Sequence, residues 1–111
     1  MLPGTNFGNA YRVTATGTVC ITTANAYIIG IAFQGTGTNI ALLFAGSTST
    51  GAGYLGRLVA NATALNATVN SMTYYDFPAY CSGGITLMNA GTTQGSLDPS
   101  ITLFWNPAGG A

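Results

Sequence analysis

Four side chains in this chain carry a formal charge: Arg12, Arg57, Asp76 and Asp98. There is no histidine. General acid–base catalysis rests on histidine or on a pair of carboxylates whose pKa values are pushed apart. Asp76 and Asp98 are the only side chains that offer such a pair. Asp98-Pro99 precedes a β-prone run and reads as a turn. Tyr75-Asp76-Phe77-Pro78 reads as a strand end, where Asp76 would form a turn or pair with Arg57. A serine or cysteine nucleophile needs a neighbouring base, usually histidine. The residue inventory therefore predicts a protein that is not an enzyme and carries no cofactor.

Other chemistry is equally short of parts. Cys20 and Cys81 form no Cys-x-x-Cys pair, and no histidine is present to complete a zinc site. They read as two small buried hydrophobes or, in an oxidising environment, as a disulfide between strands. Gly51-Ala52-Gly53 lacks the following Lys-Ser/Thr and helix of a phosphate loop. Two arginines balanced by two aspartates give no basic footprint for nucleic acid. Asn61-Ala62-Thr63 and Asn66-Ala67-Thr68 match the glycosylation pattern, as an Asn/Thr-rich stretch does by chance. Met1-Leu2-Pro3-Gly4 lacks the basic start and apolar segment of a secretion signal, so synthesis in a cytosol is expected. The longest apolar stretches, Ala26–Phe33 and Ile40–Ala45, fall short of the roughly 20 residues of a membrane helix, and no membrane partner is expected.

What remains is shape and surface. The 111 residues fit one domain, and 48% of them are hydrophobic, enough for a core. Only 4% are charged, against roughly 25% in a typical soluble domain, and the net charge is zero. Solubility must come from Thr, Ser, Asn and Gly, or from burial of surface in an assembly. Neutral, apolar-leaning surfaces associate readily.

Thr, Val, Ile, Tyr and Phe are common, and Glu and Lys are absent. Short β-prone runs alternate with Gly, Asn, Ser and Thr clusters, which predicts an all-β fold: a single β-sandwich of jelly-roll type with about eight strands. Residues 1–10 read as an extended N-terminal arm anchored by Leu2 and Phe7, residues 11–106 as the sandwich, and residues 107–111 as a tail. Tyr11–Ala15 and Thr18–Thr22 read as a strand pair about Thr16-Gly17. Ala26–Gln34 is the strongest strand. Alternation puts Tyr27, Ile29, Ile31 and Phe33 on the expected core face, and Ala26, Ile28, Gly30 and Ala32 on a smooth outer face. In the next strand Leu43 lies opposite Ile40, Leu42 and Phe44. Ala26, Ile28, Gly30, Ala32 and Leu43 are thus the expected subunit interface. Ile101, Leu103 and Trp105 align as a core face. Among the aromatics, Tyr74, Tyr75 and Tyr80 with nearby Asn and Thr loops could stack on sugar rings, although packing in core and interface is the expectation.

Ile28-Ile29-Gly30-Ile31-Ala32-Phe33-Gln34, followed by Asn39-Ile40-Ala41-Leu42-Leu43-Phe44-Ala45-Gly46-Ser47-Thr48-Ser49-Thr50-Gly51, runs strand, glycine turn, strand and small-residue loop. Phe77-Pro78-Ala79-Tyr80-Cys81-Ser82-Gly83-Gly84-Ile85-Thr86-Leu87 and Ser100-Ile101-Thr102-Leu103-Phe104-Trp105 continue the plan. The pattern, from Ala26 to Trp105, resembles small β-sandwich structural proteins of tailed bacteriophages, most closely head decoration (cement) proteins. The resemblance implies a homotrimer on the capsid surface of a virion. It would bind the major capsid protein where capsomers meet, with no small-molecule substrate and no catalytic residues. The alternative is a receptor- or glycan-binding module of a phage fibre or tail.

Overall fold

The computed structural model describes residues 8–34, 37–62, 72–92 and 100–108. Eight strands run through them: β1 (Asn9–Val13), β2 (Gly17–Thr22), β3 (Ala26–Gln34), β4 (Gly37–Ala45), β5 (Tyr54–Ala62), β6 (Met72–Cys81), β7 (Ile85–Thr92) and β8 (Ser100–Pro107). A short 3₁₀ turn at Gly51–Gly53 leads into β5. The strands form two four-stranded antiparallel sheets that pack as a β-sandwich, ordered β1-β8-β3-β6 and β2-β7-β4-β5. The pairing is nested: β1 with β8, β2 with β7, β3 with β6, and β4 with β5. This is the pattern of one long hairpin rolled up on itself. It revises the expected hairpin about Thr16-Gly17, because β1 and β2 lie in different sheets. It also moves the start of the sandwich, since Asn9 and Ala10 already pair with Trp105 and Phe104.

The core lies between the sheets. Ala26, Ile28, Ile31 and Phe33 from β3 meet Ala41 and Leu43 from β4, Cys81 from β6, Ile85 and Leu87 from β7, and Ile101 and Leu103 from β8. Trp105 packs against this cluster from the aligned position expected of it. Each strand is too short to bury much alone. The two inner faces together remove their aliphatic side chains from water, at roughly 1.5–3 kcal/mol for each large one.

The composition of β3 shows why the outer-face expectation needs correction. Between Ile28 and Gly30 the register shifts against both neighbours. Ile28 pairs with Trp105 and Gly30 with Phe104, which are consecutive, so Ile29 is an extra residue. Such a bulge reverses which side chains point inward. Ala26 and Ile28 face the core before it, and Ile31 and Phe33 after it. In β4 the inward face is Ala41 and Leu43, so Leu43 is a core residue with no exposed surface. Ala26, Ile28 and Leu43 therefore offer no subunit interface. Gly30 and Ala32 do face outward, but both are buried beneath neighbouring side chains of their own sheet.

Candidate functional site

The outer face of the first sheet is built by alternation along β6. Tyr75, Phe77, Ala79 and Cys81 turn inward, while Tyr74, Asp76, Pro78 and Tyr80 turn out. Pro78 is tolerated because β6 is an edge strand and needs no ladder bond on its open side. Tyr27 on β3 stands opposite Tyr80, and their rings lie 5.1 Å apart, tilted by 55°. The rings of Tyr74 and Phe104 are 6.0 Å apart across β3, and the Tyr74 phenol covers Gly30. Tyr27, Tyr74 and Tyr80 are each about half exposed, at 49%, 47% and 50%. That is a large apolar offering for one face of a small protein.

Asp76 is exposed between these two aromatic pairs. The Tyr74 hydroxyl donates a hydrogen bond to its carboxylate. Burial of the phenol end against β3 raises the Tyr74 pKa above the ordinary tyrosine value, and the charge and hydrogen bond of Asp76 add to the rise. Tyr27, Ile29, Asp76, Pro78 and Tyr80 line a shallow groove, aromatic at one end and anionic at the other. Asp76 sits within the strand rather than at its end, which corrects the turn reading.

The outer face of the second sheet is apolar as well. Ile40, Leu42 and Phe44 alternate outward from the core-facing Ala41 and Leu43. They pair with Val59, Arg57 and Tyr54 of β5, and Leu42 also pairs with Met88 of β7. Phe44 is sheltered by Tyr54, ring to ring at 5.5 Å. Arg57 is exposed in the middle of this apolar row. It shares no face with Asp76, so the expected pairing of the two within one chain does not form. A shift of register at Leu43/Phe44 also lets Leu55 and Leu58, three apart in sequence, both pack against the core.

The cysteines separate in the same way. Cys81 is fully buried in the core, where burial raises its pKa. Cys20 is exposed on β2, its thiol donating at 3.5 Å to the carbonyl of Thr22, which corrects the expectation that it is buried. Both are free thiols. Two asparagines went unnoticed in the sequence. Asn39 and Asn89 are buried at 1% and 2% exposure, and the Oδ1 of each has no hydrogen-bond partner. Asn89 still donates from Nδ2 to the carbonyl of Ala15 at 3.1 Å, tying β7 to the β1–β2 crossover.

Leu2 and Phe7, the expected arm anchors, lie outside the described residues, as do Asp98, the second glycosylation match and the end of the tail. The described chain opens at Gly8, whose φ of +93° suits glycine, and a Cβ there would lie 2.7 Å from Ile29 Cδ1 and 2.9 Å from the Trp105 carbonyl. Gly8 thus leads into β1 beside the β3 bulge. Among the described residues, no three His, Cys, Asp or Glu side chains gather in a way that could hold a metal ion. No protein-family model, curated protein or solved structure matches the chain.

Proposed function

We propose that the chain is a non-enzymatic structural protein of a phage virion, a capsid decoration (cement) protein that stabilises the shell by binding where capsomers meet. The observation that carries this reading is the pair of broad outer faces, both largely apolar, the first bearing only Arg12 and Asp76 on its two edge strands and the second only Arg57 among the described residues. Surfaces of that kind are usually covered in use. The nested strand order supports reading the sandwich as a jelly roll, an architecture shared by viral capsid and lectin domains. Fold alone does not assign function, so the weight rests on the surfaces.

The mechanism is adhesion. A subunit that binds only the assembled shell stabilises it by mass action, without chemistry. The partner is the major capsid protein, and the assembly a homotrimer on the virion surface, synthesised in the host cytoplasm. Of the arm read at residues 1–10, the part that precedes β1 is the docking segment, with Leu2 and Phe7 as anchors. An arm of this kind can add a strand to an open sheet edge through main-chain hydrogen bonds, which need no charge. No nucleic acid, membrane or small-molecule substrate enters this reading.

The test is electron microscopy of purified particles together with a count of copies per particle. Hundreds of copies on the shell bear the reading out. A handful at a fibre or tail favours the second reading, a receptor- or glycan-binding module. That reading draws on the half-exposed Tyr27, Tyr74 and Tyr80, whose rings could stack on sugar rings, around the Asp76 carboxylate, which could accept hydrogen bonds from sugar hydroxyls. Tyr75 takes no part in it, because it faces the core and packs edge-on against Phe33 at 5.7 Å.

A further inference from the structure

Asp76 and Arg57 stand back to back. Asp76 projects outward from β6 and Arg57 outward from β5, edge strands of opposite sheets. Their inward neighbours Phe77 and Gly56 meet inside the sandwich, where a Cβ on Gly56 would lie 3.4 Å from the Phe77 ring. One face of the sandwich thus carries an exposed anion ringed by tyrosines, and the other an exposed cation ringed by Leu42, Val59 and Tyr54.

We propose that copies of this chain associate head to tail, the Arg57 face of one seating on the Tyr27–Asp76–Tyr80 groove of the next. The groove suits a guanidinium, whose flat group stacks on aromatic rings while its N–H fork pairs with a carboxylate. Around the Arg57 guanidinium, Leu42, Val59 and Tyr54 offer apolar area to cover Ile29, Pro78 and the tyrosine rings. A second copy brings one cation to meet one anion, with matching apolar surroundings. The molecule measures 42 × 37 × 18 Å, so the broad faces are its largest surfaces, ample for the roughly 800 Å² per partner of a specific interface.

Charge also sets the orientation. Two groove faces brought together would oppose Asp76 to Asp76, and two Arg57 faces would oppose cation to cation. Like charges at an interface are strongly disfavoured, so repulsion acts against setting Asp76 on Asp76 or Arg57 on Arg57 and favours the mixed contact over these two. Arg12 faces outward from β1 at the other edge of the groove face, so two groove faces could meet with Arg12 of one copy against Asp76 of the other, but that contact does not involve Arg57 and is left intact by Arg57→Asp. A contact between unlike faces is heterologous, and its repetition closes a ring or runs on as a stack. This inference rests on the reading of the chain as an assembling subunit, and it names the surfaces.

The experiment is sedimentation velocity on the full chain, with Asp76→Arg, Arg57→Asp, the double variant, and a 1:1 mixture of the two single variants. Wild type should associate at micromolar concentration. Each single variant should lose at least tenfold in association, because it brings like charges together. The mixture and the double variant should regain it, since each restores an Arg–Asp contact. Wild type that stays monomeric at 100 µM overturns the proposal, as do single variants that associate like wild type or a mixture no better than its components. Where dichroism shows that a charge reversal disturbs the fold, Asp76→Asn and Arg57→Gln replace it. Each should weaken association several-fold, and an unchanged constant overturns the proposal. Failure here is distinct from failure of the decoration reading. A chain absent from virions can still show the charge-swap rescue, and one that coats shells can do so without self-association.

Discussion

The phenol of Tyr74 lies across Gly30, in the space where a Cβ on Gly30 would sit. Gly30 is on β3, held between β8 and β6, so its backbone has little room to retreat. An aromatic ring folded over a strand glycine restores the packing that the missing side chain gives up. Gly30→Ala would drive the new methyl into the Tyr74 hydroxyl and to 2.7 Å from the Tyr75 carbonyl oxygen. The expected loss is about 1–3 kcal/mol of unfolding free energy, read from urea denaturation. Gly51→Ala, which meets nothing within 4 Å, should stay within about 0.5 kcal/mol of wild type. A Gly30→Ala variant as stable as wild type would mean that Tyr74 swings clear at no cost.

The same tyrosine makes stability depend on alkaline pH. Burial of its phenol end and, secondarily, the Asp76 carboxylate raise its pKa in the folded chain. The unfolded chain ionises first, near the ordinary value of about 10. The stabilisation tied to the neutral phenol is therefore complete below that pH and is lost as pH rises through the higher folded value. The difference in ultraviolet phenolate absorbance between wild type and Tyr74→Phe should titrate above an ordinary tyrosine. Asp76→Asn should move that titration part of the way down, since burial remains. A difference curve unchanged by Asp76→Asn would contradict the hydrogen bond.

Cys20 and Cys81 should react as two different thiols. The thiolate is the reactive form, so an exposed thiol reacts freely while a buried one with a raised pKa stays protonated and inert. Intact mass after brief treatment of the folded protein with a maleimide should show one adduct per chain, at Cys20. Two rapid adducts would mean that the core opens easily around Cys81, and none would mean that Cys20 is covered, as by a partner copy on the second sheet.

The fold was legible because alternation is a strong signal in strands this short. Ala26–Gln34 reads as one strand from first residue to last, and β3 spans those same residues. Ile101, Leu103 and Trp105 face inward as their spacing requires. What failed is what alternation cannot carry. A single extra residue at Ile29 reverses the pattern within one strand, and the adjoining Gly30 is its one local sign, since a glycine inside a strand often marks a bulge. In β4 both faces are apolar, Ile40, Leu42 and Phe44 against Ala41 and Leu43, so the residue types favour neither orientation and size points to the wrong one. The outer aromatic face is present in the alternation pattern of β6. Tyr74, Asp76, Pro78 and Tyr80 share one parity, and breaking the strand at Pro78 hid them. The nested pairing of strands distant in sequence leaves no local trace at all.

Leu43 distinguishes a core residue from an interface residue most directly. Its side chain has no exposed surface and sits among Ala41, Ile85, Leu87 and the β3 and β8 side chains of the facing sheet. Leu43→Ala removes buried methyl groups and leaves a cavity that close packing fills only in part, at about 2–5 kcal/mol. Small domains are stable by only about 5–15 kcal/mol, so this is a large share of the total, visible as a lower urea midpoint with an unchanged slope. Leu42→Ala, one residue along and facing out, should cost much less in the isolated chain and should instead weaken association through the Arg57 face. Equal destabilisation by the two variants, or weakened association in Leu43→Ala while it remains folded, would reverse the assignment of the two faces of β4.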